Sequence, residues 1–251
     1  MTDENSPQAA LQQIPGWEHA TWSRLDGGQT NWTWLVEADG RRAVLKVDAQ
    51  PRGTPFNDRH EEARIQRIAA EQNLANHVLF ANETVYLTEY VDGDIWNMRQ
   101  VADERRLIEL ARLLQRVHSL PLTGRQFDAP GAARQYIKNI GDADPVIADR
   151  CLGIIESVQL PRDLTFCHND LVVENILDVD GLRLLDWEYA CDNDPLFDLA
   201  TIVSHYGLSR KQTNTLLDAY FNGDGARWQA QLVEQVHLYE ALYWLWRASR
   251  S

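Results

Sequence analysis

Residues 166–198, FCHNDLVVENILDVDGLRLLDWEYACDNDPLFD, place three oxygen-bearing side chains close together in the chain. Asp170 and Asn175 share one short loop, and Asp186 follows the apolar run 182–185 at the end of a predicted hairpin. Carboxylate and amide oxygens are the ligands that Mg²⁺ prefers, and a carboxylate can also accept a proton from a hydroxyl. The set is therefore suited to Mg²⁺-assisted phosphoryl transfer.

The spacing from Asp170 to Asn175 equals that of the kinase catalytic loop HRDLxxxN. In this interpretation Asp170 accepts the proton of the substrate hydroxyl, Asn175 binds one Mg²⁺, and Asp186 bridges Mg²⁺ to the phosphates of ATP. His168 and Asn169 hold the loop. Taken one at a time, each acid could equally be a turn or capping residue, and it is the joint pattern that favours a kinase.

Upstream, the pattern predicts strands over 17–26, 33–38 and 42–48, and Asp39-Gly40 is a strong signal for a hairpin between the last two. The first turn contains four residues that allow close approach of backbone N–H groups to a phosphate: Gly27, Gly28, Thr30 and Asn31. By itself such a glycine pair is a weak signal, because most are only turns.

Lys46 lies inside the apolar third strand, where a cation costs desolvation unless it meets anions. ATP phosphates and Glu62, on a helix that opens near Asp58, would supply them, as a helix Glu does for the strand Lys of kinases. The alternative is a Lys at a solvent-facing position of the strand, with acidic residues in the first helical turn for dipole reasons alone.

Two further strands are predicted over 74–80 and 85–91, and the pattern then changes from period two to helical. We expect a hinge here, where backbone groups near Glu89 and Val91 bind an adenine edge. The predicted domains are 1–91, an N-lobe with the phosphate loop and the Lys/Glu pair, and 92–251, a C-lobe with the catalytic loop, the metal ligands and the substrate pocket.

The C-terminal part is predicted to be mostly helical, with helices over 104–120, 136–141, 145–158, 211–221 and 227–249. His118 near the end of the first is interpreted as a capping or packing residue. The last helix carries Tyr239, Tyr243 and Trp246 at helical spacing. An aromatic stripe of this kind can be core, or it can bind quaternary ammonium groups by cation–π attraction.

The formal net charge of −13 argues against nucleic acid or an anionic membrane surface as a partner. It suits a cationic substrate, and it suits plain solubility equally well. The three cysteines, Cys151, Cys167 and Cys191, form no CxxC pair and no even-numbered framework, which is typical of a reducing compartment. With neither a secretory signal nor a long apolar run, we expect a soluble, cytoplasmic protein.

The chain resembles the aminoglycoside phosphotransferase/choline kinase superfamily. Four segments carry the resemblance over nearly the whole chain: GGQTN at 27–31, DRHEE at 58–62, LL with HSLP at 113–121, and HNDLVVENIL with DWEYACDNDPLFDLA at 168–200. Asp-Trp-Glu at 186–188 replaces the Asp-Phe-Gly of protein kinases. The run 186–200 is similar to bacterial choline kinases in particular.

The resemblance implies an α+β, bilobal, protein-kinase-like fold, with a small N-lobe of antiparallel sheet and one main helix and a larger, mostly helical C-lobe. It implies ATP as co-substrate, Mg²⁺ as cofactor and a small alcohol as acceptor. It also implies a choline pocket of acids and aromatics and an Asp that buttresses the catalytic loop; the matching residues are Glu188, Tyr189, Tyr206, Tyr243 and Trp246 for the pocket, and Asp198 for the loop. His205 stands where eukaryotic choline kinases have a carboxylate.

Choline is therefore the expected acceptor, and several alternatives stay open. Thiamine is also a cation with a primary alcohol, and thiamine kinases share the DWEYA signature. Ethanolamine or an aminoglycoside would need more hydrogen-bond acceptors than an aromatic cage offers, and resistance enzymes usually carry a longer acidic insert. A nucleotide-binding pseudokinase is the non-enzyme alternative, and the occupation of every chemical position argues against it.

Overall fold

The computed structural model describes residues 7–25, 32–53, 55–141, 144–159 and 163–250. The chain divides into two units, Met1–Gly93 and Asp94–Ser251. The predicted phosphate loop, Gly27, Gly28, Thr30 and Asn31, lies outside the described residues.

The first unit is built on an antiparallel sheet with strand order β1-β2-β3-β5-β4. Its strands are β1 (Thr21–Arg24), β2 (Trp32–Ala38), β3 (Arg41–Val47), β4 (Val78–Ala81) and β5 (Val85–Glu89). The predicted Asp39-Gly40 hairpin is confirmed, since Ala38 pairs with Arg41. Both turn residues have positive φ, 52° and 70°, as a two-residue turn of this hand requires.

The two faces of this sheet are covered differently. One face packs on a short helix, α1 (Pro7–Leu11), and on Trp17, through buried Val36, Leu45 and Leu87. The other carries Tyr86, whose hydroxyl donates to Gln66 of the helix α2 (Arg59–Ala70) at 2.8 Å. Asp58 caps α2 by accepting from the backbone N–H of Glu61 at 2.8 Å. The face toward α2 also carries Lys46, which is paired with Tyr86.

Two predicted strands in this unit are shorter in the structure. The strand predicted over 17–26 is confined to β1, because Trp17 and Ala20 are buried in turns that lead into it. The strand predicted over 74–80 begins only at Val78, because Leu74 donates its N–H back to Ala69 and closes the end of α2. Both segments are apolar because they are core, and apolar character alone does not separate a strand from a buried turn.

The second unit is mostly helical. Its helices are α3 (Met98–Ala102), α4 (Glu104–His118), α5 (Ala129–Ile137), α6 (Pro145–Ser157), α7 (Pro195–His205), α8 (Arg210–Tyr220) and α9 (Gln229–Ala248). The helix predicted over 136–141 is wrong in its bounds: α5 starts at Ala129, with Asp128 as its N-cap and Pro130 in its first turn, and ends at Ile137. The Pro was not recognised as a start signal.

Short strands connect these helices to the predicted catalytic loop. They are β6 (Asp94–Ile95), β7 (Thr165–Cys167), β8 (Ile176–Val179), β9 (Gly181–Leu184) and β10 (Cys191–Asn193). β7 pairs with β10, and β8 lies between β6 and β9. A buried core that includes Ala133, Ile155, Phe197 and Leu245 joins α5, α6, α7 and α9. With a sheet in one unit and mostly helices in the other, the α+β fold class is confirmed.

Among the described residues, no helix combines the length and the apolar character that a membrane crossing requires.

Candidate active site

The hairpin of β8 and β9 brings Asn175 and Asp186 to the same end. Asn175 closes the 3-10 helix Val173–Asn175 directly before β8, and Asp186 follows β9 by two residues. Leu185 donates its N–H to the carbonyl of Asn175 at 2.9 Å, which extends the hairpin ladder to this point. Asn175 and Leu185, ten positions apart in the sequence, are thereby opposite each other, and Asp186 is the next residue.

Asp170 contacts Asn175 directly. The Asn175 side-chain Nδ2 donates to the Asp170 carbonyl at 2.9 Å and to the Asp170 carboxylate Oδ2 at 3.0 Å. Because the amide nitrogen is directed at Asp170, the amide oxygen of Asn175 is the atom left to bind a cation. Asp170 and Asn175 are therefore in contact, and Asp186 is the residue after Leu185, which pairs with Asn175. We refer to these three residues, Asp170, Asn175 and Asp186, as the local group.

Asp186 has a left-handed backbone, with φ 61° and ψ 74°. This conformation is unfavourable for residues with a side chain, and it clusters at functional sites. The 3-10 helix Trp187–Tyr189 follows at once, so the chain turns sharply at Asp186. Residues 187–189 therefore run in a different direction from β9.

The side chain of Asp198, in α7, binds the backbone of the predicted catalytic loop. Its Oδ2 accepts from the N–H of His168 at 2.9 Å and its Oδ1 accepts from the N–H of Asn169 at 2.7 Å. The Asp198 side chain is completely buried. Two adjacent N–H groups that end on one buried carboxylate fix the orientation of the loop that carries Asp170.

His168 is also fully buried and is bonded at both ring nitrogens. Its Nε2 contacts the carbonyl of Leu185 at 2.9 Å, and the N–H of Asp170 donates to its Nδ1 at 3.3 Å. A carbonyl only accepts and an N–H only donates, so the ring is neutral with its proton on Nε2. Burial lowers the pKa of His168, which favours the same neutral form.

Asn169 makes the sharp turn before Asp170 possible. Its φ is 65°, in the left-handed region that Asn tolerates better than most residues. Its Oδ1 accepts from Asn193 Nδ2 at 2.8 Å and its Nδ2 donates to the Tyr189 carbonyl at 3.1 Å. The loop is therefore tied to the residues that follow Asp186.

Four buried tyrosines lie within the electrostatic influence of the Asp170 carboxylate: Tyr136, Tyr189, Tyr206 and Tyr239. Burial raises the pKa of each hydroxyl, and the negative charge of Asp170 adds to the shift in all four. For Tyr136 the pKa is raised to about 12. These hydroxyls therefore stay protonated, and their rings form an aromatic environment close to Asp170.

Two of the predicted substrate residues lie within this tyrosine group. The Tyr189 hydroxyl is hydrogen-bonded to that of Tyr136, and buried Glu188 lies near both. Tyr206 donates its hydroxyl to the carbonyl of Leu171 at 2.7 Å, so this hydroxyl supports the catalytic loop and only the ring remains for a substrate.

Tyr243 and Trp246 belong to a stack along α9. The rings of Tyr239, Tyr243 and Trp246 follow one another at 5.8 Å, with interplanar angles of 12° and 16°. The guanidinium of Arg250 lies 4.6 Å from the Trp246 ring centre. Part of this aromatic surface is therefore already covered by a cation of the chain itself.

His205 stands at the edge of this stack. Its ring is 6.2 Å from that of Tyr243, and the Tyr239 hydroxyl is 3.4 Å from its Nδ1. Burial lowers the pKa of His205, although the charge of Glu174 acts in the opposite direction. The imidazole of His205, whose neutral form is favoured, thus stands at the position where eukaryotic choline kinases have a carboxylate.

In the first unit, Lys46 lies in β3 directly opposite Tyr86 of β5. Directly paired residues point to the same side of a sheet, so Lys46 is on the face that α2 covers. Glu62 of α2 is completely buried, and its Oε2 accepts from Arg59 Nη1 at 2.7 Å. Its Oε1 is buried and receives no hydrogen bond from the residues that the structure describes.

The predicted adenine-binding residues lie at the end of β5 and just after it. The N–H of Glu89, the last residue of β5, donates to the carbonyl of His77 at 2.9 Å, so this N–H is engaged within the unit. The Glu89 carbonyl accepts a 3.4 Å contact from Asn76 Nδ2. Val91 follows β5 by two residues and is half-buried.

Sequence reasoning missed several members of the site, all of them placed by tertiary contacts. They are Tyr136, Asn193 and Tyr220, together with the role of His118. Asn193 and His118 left a signal, because they lie in the DWEYACDNDP run and the HSLP segment that carry the family resemblance. The tyrosines have no local motif that distinguishes them from core residues.

Comparison with known proteins places the chain in a family. The profile of the phosphotransferase enzyme family matches residues 21–233. LicA of Haemophilus influenzae is 31% identical over 208 residues, covering 78% of this chain and 61% of that protein. This chain thus spans less than two thirds of the length of that relative. A thiamine kinase of Salmonella typhimurium is 31% identical over 209 residues, covering 80% of this chain and 70% of the enzyme.

Among solved structures, the choline kinase LicA from Streptococcus pneumoniae superimposes with a TM-score of 0.79 at 19% identity, covering 97% of this chain and 89% of that one. At this identity the likeness shows the shared fold, and it confirms the protein-kinase-like expectation. The resemblance to the aminoglycoside phosphotransferase/choline kinase superfamily is likewise confirmed. The chain belongs to the phosphotransferase enzyme family.

Proposed function

We propose that this protein is an ATP- and Mg²⁺-dependent kinase that transfers the γ-phosphoryl group of ATP to the hydroxyl of a small cationic alcohol, with choline as the first candidate. The observation that carries the proposal is the local group of Asp170, Asn175 and Asp186 at the end of the β8–β9 hairpin. The solved choline kinase with the same fold supports the choice of acceptor.

The donor atoms of this group fit a magnesium ion. Asn175 offers an amide oxygen and Asp186 a carboxylate, both hard oxygen ligands. When bound, Mg²⁺ neutralises negative charge on the phosphates of ATP. Asp170, held by Asn175 and by the bonded loop, orients the acceptor hydroxyl and accepts its proton.

Lys46 and the glycine-containing segment 27–31 are proposed to hold the ATP phosphates. The buried Oε1 of Glu62, which receives no hydrogen bond from the described residues, is a suitable partner for the Lys46 ammonium on the same face of the sheet. The carbonyl of Glu89 and the backbone of Val91 are proposed to bind the adenine edge. These residues position and neutralise the nucleotide rather than react.

The acceptor is proposed to bind among the tyrosines around Asp170. Tyrosine rings attract quaternary ammonium groups through their faces, and the carboxylate of Glu188 adds negative charge nearby. The net charge of −13 also favours the approach of cations over anions. Tyr243 and Trp246 extend this aromatic surface along α9.

Thiamine is the second candidate acceptor. The thiamine kinase of Salmonella typhimurium has the same 31% identity to this chain as LicA has. The parallel rings of Tyr239, Tyr243 and Trp246 also suit a flat heterocycle.

ADP release measured with choline, ethanolamine, thiamine and an aminoglycoside tests the proposal. The neutral isostere of choline, 3,3-dimethyl-1-butanol, is the matched control, since it keeps the shape and hydroxyl of choline without its charge. We expect choline to exceed this control in kcat/KM by about tenfold or more, the size of a desolvated cation–π contribution. Equal rates for the two would contradict cation recognition, and a preference for the aminoglycoside, which is itself a polycation, would contradict a small acceptor.

We further propose that the protein works in the cytoplasm. The cysteines Cys151, Cys167 and Cys191 are all buried free thiols, and burial raises the pKa of each. Unpaired thiols of this kind are typical of a reducing compartment.

A further inference from the structure

A buried chain of hydrogen bonds continues from Asp198 away from the catalytic loop. His118, at the end of α4, has its Nε2 3.0 Å from Asp198 Oδ2 and its Nδ1 2.6 Å from the Tyr220 hydroxyl. Tyr220 is the last residue of α8. Three helices therefore meet at the carboxylate that fixes the loop of Asp170.

With a neutral His118 ring, only one arrangement of protons satisfies every hydrogen bond among Asp198, His118 and Tyr220. Asp198 accepts two backbone N–H groups, so its carboxylate is an acceptor and His118 must present an N–H at Nε2. Nδ1 then accepts, and the Tyr220 hydroxyl donates to it. Burial raises the pKa of Tyr220, and the charge of Asp198 acts in the same direction, so this hydroxyl keeps its proton.

The same cluster has the dimensions of a metal site, but its protonation argues against one. Ligand atoms of His118, Cys167 and Asp198 lie within 4.8 Å of one another. Burial raises the pKa of the Cys167 thiol well above its ordinary value, and its Sγ contacts the carbonyls of Asn193 at 3.6 Å and Asp194 at 3.7 Å. A thiol that donates to carbonyls is not a thiolate ligand. The cluster is therefore a hydrogen-bonded support.

The position of Tyr220 is itself fixed by α4. Gln115, one turn before His118, donates its Nε2 to the Tyr220 carbonyl at 2.6 Å. The rings of His118 and Tyr220 meet edge-on at 5.4 Å. Contacts of α4 with both the carbonyl and the ring of Tyr220 therefore fix the position of the Tyr220 hydroxyl next to His118 Nδ1.

We propose that His118 and Tyr220 are positioning residues for phosphoryl transfer, and that they act through Asp198 to hold the loop that presents Asp170. The Nε2–H of His118 neutralises part of the buried negative charge of Asp198 and fixes the plane of its carboxylate. The Tyr220 hydroxyl selects the tautomer that has this proton. The inference deepens the proposed kinase activity and rests on it for its kinetic readout.

Three variants separate positioning from simple packing. His118→Leu removes the donor to Asp198, and His118→Gln keeps a side-chain N–H about as far from the backbone as Nε2. Tyr220→Phe keeps the ring and removes only the hydroxyl. We expect kcat with the preferred acceptor to fall by about 10- to 100-fold in His118→Leu, since small displacements of a reacting group have effects of this size. His118→Gln should recover most of this loss, Tyr220→Phe should show a smaller fall, and KM for ATP should stay near the wild-type value in all three.

Amide hydrogen exchange of His168 and Asn169 provides a readout that needs no acceptor. We expect faster exchange of both amides in His118→Leu and Tyr220→Phe, with recovery in His118→Gln. A wild-type protein without kinase activity on any acceptor would contradict the proposed function, and exchange alone would then decide the positioning role. Unchanged exchange, or a His118→Gln variant no better than His118→Leu, would overturn it.

Discussion

At the scale of single residues, the catalytic loop is held by bonds from its backbone to buried side chains. The N–H groups of His168 and Asn169 end on Asp198, and the N–H of Asp170 ends on the ring of His168. His168 in turn bonds the carbonyl of Leu185, next to Asp186. One neutral imidazole thus links the two segments that carry the proposed base and a proposed metal ligand.

This buried imidazole should make folding stability depend on pH. Its pKa is lowered in the folded state, so between that pKa and about 6.5, the value of a free His, the unfolded chain binds more protons. The contribution of His168 to stability is complete above pH 6.5 and decreases as the pH falls, by up to about 1.4 kcal/mol per pH unit. Urea unfolding between pH 5 and 7 measures the slope.

Two substitutions show how much each histidine contributes to the pH dependence of the free energy of unfolding. His168→Gln should reduce it most, because the ring is fully buried, and His205→Gln should reduce it less, because His205 is half-buried. A slope that His168→Gln leaves unchanged would show that this ring does not titrate as its burial requires.

At the scale of elements, an ion network joins the end of β3 to the start of α2. Arg59 bonds Asp48 through two nitrogens, at 2.5 and 2.9 Å, and Glu62 at 2.7 Å. Arg52 also contacts Asp48, at 3.1 Å. Burial disfavours the charged form of Arg59, but Glu62 and Asp48 outweigh it and raise the pKa of Arg59. The network fixes Glu62 relative to the strand that carries Lys46.

Removal of Arg59 should be costly for this reason. Arg59→Met keeps a long side chain but leaves two buried carboxylates with Arg52 as their remaining cation in the network, and we expect a loss of roughly 3–5 kcal/mol in the free energy of unfolding. Arg64→Met is the matched control on the same helix, since Arg64 and Glu61 form an exposed pair worth less than about 1 kcal/mol. Equal losses in the two variants, measured by urea unfolding, would contradict a structural role for the network.

At the scale of the whole molecule, the sequence predicted those features that have a local signal. The spacing from Asp170 to Asn175 places both on one loop, where the structure has them in contact, and the apolar run before Asp186 contains the strand β9. The Asp39-Gly40 hairpin followed from its turn residues, and the α+β class followed from the family resemblance. The predicted starts of β1 and β4 were too early, because buried residues in the turns before these strands resemble strand residues.

Contacts between distant residues had no such signal. His118 and Tyr220 are 102 positions apart, and Tyr206 is 35 positions from the Leu171 carbonyl that it bonds. Glu62 was assigned to Lys46 by analogy, whereas its carboxylate also serves Arg59, a residue whose own pattern suggested only a helix start. Which of several aromatic residues face a carboxylate depends on helix packing, and a single sequence does not encode that locally.

The most direct measurement of the central claim is ³¹P NMR of the protein with MgATP and choline, followed over time for the wild type and for Asp170→Asn. The Asn side chain keeps an oxygen for the bond from Asn175 but cannot accept a proton from the acceptor hydroxyl. We predict ADP and a new phosphomonoester signal with the wild type, and a rate at least about 100-fold lower with Asp170→Asn at unchanged ATP affinity. Transfer at the wild-type rate by Asp170→Asn would contradict the account.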